Sequence, residues 1–255
     1  MRQLGKLSLY GLQALLYTLP FGVIFYLSVT PNLAYPHWLS TIFTPGHWQQ
    51  LAQSGSGLSQ SLGLSLVLAL TVGFLATALG FACSGVLYFS RFRESLTRLA
   101  FFPFILTPVI YAVVLQFYFL KLGLSGSTGG VILAQLFITF PFAFLFFNGF
   151  WNHRVKQMAQ LVQTLGGNGR QLFTEFLAPY AKGALVTCFF QTFLISWFEY
   201  GLTSIIGIGK VKTLTLQVFQ YLNESNVPLA AVSSAVLVLP PLILLMVNRK
   251  FLLKP

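Results

Sequence analysis

The sequence predicts an all-α, polytopic membrane protein with six transmembrane helices, and its composition carries most of that prediction. Of the 255 residues, 56% are hydrophobic and only 7% are charged, and the mean hydropathy is +0.77. A soluble domain carries roughly 25% charged residues to cover its surface. The composition therefore excludes a soluble enzyme, a disordered chain and a disulfide-stapled scaffold.

The first two spans lie in one uncharged stretch, because no Asp, Glu, Lys or Arg occurs from Leu7 to Ser90. A helix needs about 20 apolar residues to cross a hydrocarbon core about 30 Å thick. The stretch therefore accommodates spans at about 9–30 and 60–89. Pro, Gly and Gln between them predict a polar loop over roughly 31–58. We expect the first span to be a retained anchor and not a removed signal peptide.

Four further apolar segments complete the count, and a charged, amphipathic segment at 151–180 divides them into two pairs. These spans are predicted at about 99–120, 131–150, 183–206 and 228–248. A Gly/Ser turn at 123–130 joins the first pair, and Pro240-Pro241 should kink the sixth span. We expect residues 1–255 to form a single transmembrane domain.

The distribution of basic residues predicts the orientation. Six spans place both termini on one side, and all of the 15 Lys and Arg except Lys121, Lys210 and Lys212 fall on that side. The positive-inside rule makes that side cytoplasmic. Because the basic residues are dispersed singly between apolar runs, we expect them to meet the head groups of membrane lipids and not nucleic acid.

Gly123-Leu124-Ser125-Gly126 has the GxSG shape of rhomboid-type intramembrane serine proteases. That chemistry needs a histidine base within hydrogen-bond reach. The histidines are His37, His47 and His153, and His153 is predicted at the opposite end of the fourth span. The motif predicts a tight turn, no residue is assigned a catalytic role, and a protease remains a remote alternative.

Two further patterns fail as ligand sites. Gly207-Ile208-Gly209-Lys210 hints at a phosphate loop, but the spacing and the residue after the lysine do not match a Walker A motif. His37 and His47 have no acid or cysteine nearby and make a poor metal site. We expect no cofactor and no metal.

The segment 151–180 carries the strongest functional signal. Met158, Leu161, Val162 and Leu165 fall at i, i+3, i+4 and i+7, which predicts one apolar helix face. The run from Gly166 to Gly169 then ends the helix with residues that tolerate positive φ. A second short helix follows over 170–177, and Pro179 should break it before the fifth span. Such an apolar face in the cytoplasm predicts a partner groove, and the alternative is an amphipathic connector lying on the membrane.

This segment resembles the cytoplasmic motif of the binding-protein-dependent permeases of ATP-binding-cassette (ABC) importers. That motif reads Glu-Ala-Ala, three residues, Gly, nine residues, Ile, any residue, Leu-Pro. Gly166 and Pro179 stand 13 apart, as the motif requires. Phe176 and Ala178 take the Ile and Leu positions, whereas the Glu-Ala-Ala positions hold Gln160, Leu161 and Val162.

Other stretches are similar to the same family, so that the resemblance covers roughly 55–250. They are Phe102-Pro103 with Thr107-Pro108, the turn at 123–130, Pro141-Phe142, and Trp197 to Gly201 followed by Lys212-Thr213-Leu214. The pattern looks closest to the branch that serves polyamines, ferric iron, thiamine, phosphonates and sulfate.

The resemblance implies a permease subunit in the bacterial cytoplasmic (inner) membrane, with a coupling-helix loop between the fourth and fifth spans. ATP would be hydrolysed on separate ATPase subunits, so that this chain is not itself an enzyme. A second permease, identical or different, and a periplasmic or lipid-anchored substrate-binding protein complete the implied partners; the missing motif acid favours an asymmetric pair. The implied docking residues are Met158, Gln160, Leu161, Val162, Leu165, Gly166, Glu175 and Pro179.

Glu199 is the one acid predicted inside a span, and an ionisable group there is a functional candidate. Cys188, Thr192, Ser196, Glu199 and Thr203 follow helical spacing and predict a polar stripe, with Gln191 beside it. The stripe is interpreted as part of the translocation path or of a contact with a second permease, and its members are Glu199, Ser196, Thr192, Thr203 and Gln191. The alternative is a packed interhelical hydrogen bond, and Gln116 and Gln135 pose the same question.

A stand-alone secondary transporter or channel is the main alternative from another class. It would need charge pairs or broken-helix ion sites within the spans, and in the sequence only Glu199 offers a group of that kind.

Overall fold

A computed structural model describes residues 2–31, 43–53, 57–88, 90 and 93–252. Every regular element in those ranges is helical, so the prediction of an all-α membrane protein is confirmed. The α-helices in the described ranges are α1 (Arg2–Ser28), α2 (Gly46–Ala52), α3 (Gly57–Tyr88), α4 (Arg93–Ala100), α5 (Pro108–Lys121), α6 (Thr128–Phe150), α7 (His153–Thr164), α8 (Gly169–Gln171), α9 (Ala178–Trp197), α10 (Gly201–Ile206), α11 (Leu214–Asn223) and α12 (Val227–Leu252). A 3₁₀ turn occupies Phe102–Phe104 and a π-helical segment Leu172–Leu177.

Four helices in the described ranges are long and apolar enough to cross a membrane. They are Tyr10–Ser28, Gly57–Tyr88, Thr128–Phe150 and Val227–Leu244. They match the first, second, fourth and sixth predicted spans. A bent pair of helices brings the number to five at most, so the count of six spans stays a prediction. Of the predicted loop at 31–58, α2 and its flanks are described, whereas 32–42 and 54–56 lie outside the described residues.

The third predicted span is not one continuous helix. Arg93–Phe104 meets α5 at an angle of 100°. The two prolines explain the break: Pro103 lies in the 3₁₀ turn, and Pro108 opens α5 after an extended Thr107, with ψ of 148°. A residue before proline is disfavoured in the α region because its backbone collides with the proline ring. The region predicted as the third span, at about 99–120, is therefore a bent pair of helices, and whether it crosses as one span stays a prediction.

The fifth predicted span is also interrupted. The helix α9 ends at Trp197, and the short α10 begins at Gly201. Phe198, with φ −91° and ψ 3°, and Tyr200, with φ −120° and ψ −46°, leave the helical path between them. The prediction of one helix over 183–206 is wrong beyond Trp197, and the cause is the carboxyl group of Glu199, described below.

The chain divides into two compact units, and the single-domain assignment stays a prediction. One unit comprises Met1–Leu64 and Lys212–Leu242, and in it Trp48 Nε1 donates to Ser28 Oγ at 3.2 Å. The other comprises Ser65–Val211 and Ile243–Pro255. Its core is formed by buried residues of α3, α6, α7 and α9, namely Ala76, Phe81, Ala143, Phe147, Trp151, Val155, Ala181 and Cys188.

The contact between α3 and α6 depends on a glycine. A Cβ placed on Gly80 would lie 2.5 Å from the Cβ of Ala143 and 2.8 Å from its carbonyl carbon. Small residues let helix backbones approach closely in membranes, where van der Waals packing drives helix association. Just beside this contact, the rings of Phe81 and Phe147 meet edge to face at 5.1 Å. The lack of a side chain at Gly80 therefore sets the distance between the two helices.

We expect Gly80→Ala to destabilise the chain by about 1–3 kcal/mol, the usual cost of overpacking a core. The matched control is Gly149→Ala on α6, where an added Cβ meets no atom within 4 Å. Thermal unfolding of the purified protein in detergent should show a lower midpoint for Gly80→Ala and no loss for Gly149→Ala. Equal midpoints for the two variants would contradict the close-packing argument.

Candidate functional site

The helix α7, which carries the predicted apolar face, is anchored at its N-terminal end. The side chain of Asn152 caps the helix, since its Oδ1 accepts a hydrogen bond from the Val155 amide at 3.0 Å. Val155 is 1% exposed and belongs to the core. The neighbouring Trp151 is also buried, and its Nε1 donates to Ser84 Oγ on α3 at 2.9 Å. The N-terminal end of α7 is therefore held against the helix core by these contacts.

The apolar face of α7 is present and largely uncovered within the chain. Met158, Leu161 and Leu165 are 42%, 55% and 79% exposed, whereas Val162 is half-buried. Gln160, at the position of the missing motif acid, is exposed and lies off this face. Three exposed apolar side chains on one short helix form the kind of surface found at contacts with a partner or a membrane.

The helix ends at Gly166, as its sequence predicts. Gly166 has a φ of +85°, and its amide donates to the Gln163 carbonyl at 3.0 Å. An added Cβ there would meet no atom within 4 Å, so the need for glycine is conformational. At Gly167 the need is steric instead, because a Cβ would lie 2.8 Å from the Val162 carbonyl oxygen.

The second helix of the segment does not stop at Pro179, and that prediction is wrong. Asn168 opens it with a capping box shared with Gln171. It then continues through the π-helical Leu172–Leu177 into α9. In an α-helix the proline ring would collide with the carbonyl four residues earlier; the wider π turn accommodates it. Glu175 and Pro179 are both exposed on this continuous helix.

The carboxyl group of Glu199 starts α10. Its Oε1 accepts a hydrogen bond from the Leu202 amide at 2.6 Å. Its Oε2 accepts one from the Thr203 amide at 2.9 Å and one from Thr203 Oγ1 at 2.6 Å. The first amides of a helix have no partner within the helix. Glu199 supplies that partner, and the chain can leave α9 without exposing these donors.

A buried polar network extends from Glu199 to α6. Thr203 Oγ1 accepts from Gln135 Nε2 at 3.0 Å, and Gln135 Oε1 accepts from Ser196 Oγ at 2.5 Å. Gln135, Ser196 and Thr203 are 2%, 6% and 0% exposed, while Glu199 is half-buried. The network joins α6, α9 and α10 through side chains whose donors and acceptors match.

The remaining stripe residues lie in a different contact. Thr192 Oγ1 lies 3.2 Å from Thr77 Oγ1 and 3.3 Å from the Gly73 carbonyl oxygen, both on α3, while its shortest hydrogen bond is to the Cys188 carbonyl of its own helix, at 2.9 Å. Thr77 was not identified from the sequence, because a lone threonine in an apolar helix gives no spacing signal. Among the described residues, Gln191 Oε1 is buried without a hydrogen-bond partner. The expected single helical stripe is therefore two clusters, because the helix breaks before Glu199.

A cavity of about 330 Å³ adjoins the helix break. Its polar lining comes from Gln135, Thr139, Ser196 and Glu199, and apolar residues such as Val109 complete it. Of the sequence-predicted path residues, Ser196 and Glu199 line this cavity. Thr203 does not line the cavity, but it donates a hydrogen bond to Glu199, which does. Thr192 and Gln191 lie elsewhere on α9.

The two stretches that resemble enzyme motifs, 123–126 and 207–210, form adjoining turns. Gly123 and Gly126 have φ of +67° and +74°, as a tight turn requires, and Ser125 Oγ donates to Gln116 Oε1 at 3.3 Å. The Gly126 amide donates to the Ile206 carbonyl at 2.8 Å. An added Cβ at Gly126 would meet Lys210 at 3.1 Å. Of the histidines weighed as metal ligands, His37 lies outside the described residues.

No protein-family model matches the chain, but curated relatives do. The molybdenum transport system permease protein ModB of Mycobacterium tuberculosis and that of Mycobacterium bovis are each 28% identical to it over 208 residues. Those matches cover 76% of this chain and 78% of the relatives. The spermidine/putrescine transport system permease protein PotC of Haemophilus influenzae is 20% identical over 205 residues, which is 80% of each chain. These relatives are transport permeases and not enzymes.

Replacing Glu199 tests its role in starting α10. We expect Glu199→Gln to lower stability by about 1–3 kcal/mol, because an amide nitrogen would face a donor where an acceptor is needed. Glu199→Leu removes all three hydrogen bonds and should cost more. Thermal midpoints in detergent should follow the order wild type, Gln, Leu. Glu175→Gln, at an exposed acid, is the control; a Glu199→Gln midpoint equal to it would contradict this role.

Proposed function

This chain is a homologue of the transmembrane permeases of binding-protein-dependent ABC importers, and on that premise we propose that it couples to a separate ATPase subunit through 151–180. In this proposal it forms half of the substrate translocation path. The observation that carries the proposal is the exposed apolar face of α7, held on a helix end that is anchored in the core. A membrane-lying connector would need no such anchor.

The proposed docking surface combines α7 with the elbow that follows it. The exposed Met158, Leu161 and Leu165 supply its apolar centre, and Gly166 turns the chain sharply after them. Its remaining proposed members are Gln160, Val162, Glu175 and Pro179. Apolar anchors on one helix face that enter a groove are a recurring mode of recognition.

Gln160 is exposed and occupies the position at which the family motif has a glutamate. The proposed docking surface therefore presents an uncharged amide there. We propose that the ATPase subunit is contacted there by an amide, and that a second permease, identical or different, supplies the other coupling surface. The missing acid favours a different chain.

Permeases of this kind work with ATPase subunits and with substrate-binding proteins. For this chain we propose that ATP is bound and hydrolysed only on the partner, and that a periplasmic or lipid-anchored protein delivers the substrate. We further propose a bacterial cytoplasmic membrane location with both termini in the cytoplasm, since the basic residues are concentrated on that side.

The translocation path is proposed to pass the cavity at the helix break, where Ser196 and Glu199 contribute polar groups. Thr203 and Gln135 hold the Glu199 carboxyl group in place, so their contribution is positional. Thr192 and the unpartnered oxygen of Gln191 lie further along α9. They are proposed to face the path, or the second permease, in another state of the transport cycle.

Substitution on the apolar face tests the docking proposal. Leu161→Asp should weaken association with the ATPase subunit about tenfold or more, because buried apolar anchors carry most of an interface's binding energy. Since Leu161 is 55% exposed, insertion and folding should persist. Gln163→Asp, an exposed position on the opposite face of α7, is the matched control. Co-purification at equal membrane levels is the measurement.

Normal association of Leu161→Asp would exclude α7 as the docking element. Loss of association in both variants would indicate a general effect of negative charge and would also count against an apolar contact.

The energy source separates the importer from a secondary transporter. Broken helices are a feature of secondary transporters, and α9–α10 is broken, but the carboxyl group there already accepts three hydrogen bonds from its own chain. We therefore expect uptake in proteoliposomes that hold the assembled complex to require ATP and to persist after ionophores collapse the proton and sodium gradients. Gradient-driven flux through this chain alone would favour the secondary transporter.

A further inference from the structure

The short helix α4 contributes side chains to two cavities of opposite character. One is a polar cavity of about 520 Å³, lined by Arg93, Glu94, Thr97, Arg98 and Asn148. An adjoining face of α4 contributes Leu96, Leu99 and Ala100 to a largely apolar cavity of about 640 Å³, which side chains of α3, α5 and α6 complete. Neither cavity belongs to the proposed docking surface or to the cavity beside Glu199.

We propose that these two cavities together bind one anionic phospholipid, with its phosphate against Arg93 and Arg98 and an acyl chain in the apolar cavity. A ligand that satisfies both must carry a negative group joined to a hydrocarbon chain. Basic pockets between transmembrane helices on the cytoplasmic side are sites for anionic head groups. The positive-inside prediction places α4 on that side.

The polar cavity is built around a fixed guanidinium group. Arg93 Nε donates to Asn148 Oδ1 at 3.1 Å, and Asn148 Nδ2 donates to Thr97 Oγ1 at 3.2 Å. The Arg93 Cζ also lies 4.3 Å from the centre of the Tyr88 ring. A guanidinium has five N–H donors, and the bond to Asn148 uses one of them. An arginine held in this way is prepared to bind a phosphate, whose geometry it matches.

The charges of the polar cavity favour an anion. Two arginines face one acid, Glu94, so the lining carries a net positive charge. Glu94 lies one turn from Arg98 on α4 and offsets one of the two positive charges. A cationic ligand would meet two like charges and is disfavoured.

The apolar cavity fits a hydrocarbon chain. Its volume lies within the roughly 300–1,000 Å³ typical of small-ligand pockets. Leu79, Leu133 and Phe137 in its lining are each 45% exposed, so the cavity is open to the surroundings of the helices. Burial of an acyl chain contributes about 0.8 kcal/mol per CH₂. A second protein chain could occupy both cavities only by placing an anionic group beside the arginines and an apolar segment in the apolar cavity at the same time.

Native mass spectrometry of the delipidated full chain tests the site, with dioleoylphosphatidylglycerol and dioleoylphosphatidylcholine as probes. We expect phosphatidylglycerol to bind more tightly. Arg98→Gln should reduce its affinity about fivefold, the ratio that corresponds to about 1 kcal/mol per basic residue at an anionic lipid surface. Arg154→Gln, an exposed arginine on α7, is the matched control and should bind as wild type. Ala100→Trp narrows the apolar cavity and should weaken binding with both arginines intact.

Equal binding of the two lipids, or equal affinities of Arg98→Gln and Arg154→Gln, would overturn the proposal. Displacement of the lipid by excess inorganic phosphate alone would identify a free phosphate site instead. If the wild-type chain formed a dimer that bound no lipid, and Ala100→Trp prevented that dimer, a second copy of the chain would be shown to fill the cavity instead. Arg98→Gln changes an exposed side chain, and its unchanged thermal midpoint would confirm that lost binding is not lost folding.

Discussion

Lipid offers a polypeptide no hydrogen bonds, and this constraint governs how the helices of a membrane protein can end. At the junction of α9 and α10 the chain meets it internally: one carboxyl group accepts the two amides that open α10 and the hydroxyl of Thr203. Gln135 and Ser196 extend the same solution to α6. The position of α10, and of the cavity beside it, depends on these bonds.

The segment 151–180 ends its helices by different means. In 151–180 the helix ends are satisfied by Asn152, by the capping box at Asn168 and by the positive φ of Gly166. All three devices are local in sequence and leave the apolar side chains of α7 free for a partner. At the α9–α10 junction local bonds are thus combined with bonds to the distant Gln135, whereas the helix ends within 151–180 are capped by near neighbours.

This difference explains what could be predicted from the sequence. Four spans, the face of α7 and the turn at Gly166 follow from local hydropathy, periodicity and glycine placement, and the structure shows them.

The break after Trp197 could not be predicted, because helical spacing from Cys188 to Thr203 assumes the continuity that Glu199 interrupts. The bend before Pro108 had a local signal in its prolines, which hydropathy alone does not register. At Pro179 the sequence predicted a helix end that the structure does not have, because the π turn before it accommodates the proline ring. The contacts of Thr77 with Thr192 and of Gln135 with Thr203 join positions too distant in sequence for any spacing rule.

The π turn at Leu172–Leu177 has a mechanical consequence. Because it carries the helix past Pro179, the 29 residues from Gly169 to Trp197 form one uninterrupted rod between the glycine elbow and the Glu199 junction. At a rise of about 1.5 Å per residue such a rod is roughly 40 Å long, and tilting it by about 5° about the elbow moves its far end by roughly 3.5 Å. That displacement exceeds the length of every hydrogen bond that Glu199 accepts. A small rotation at the elbow is therefore amplified into a displacement of hydrogen-bond length at the Glu199 junction.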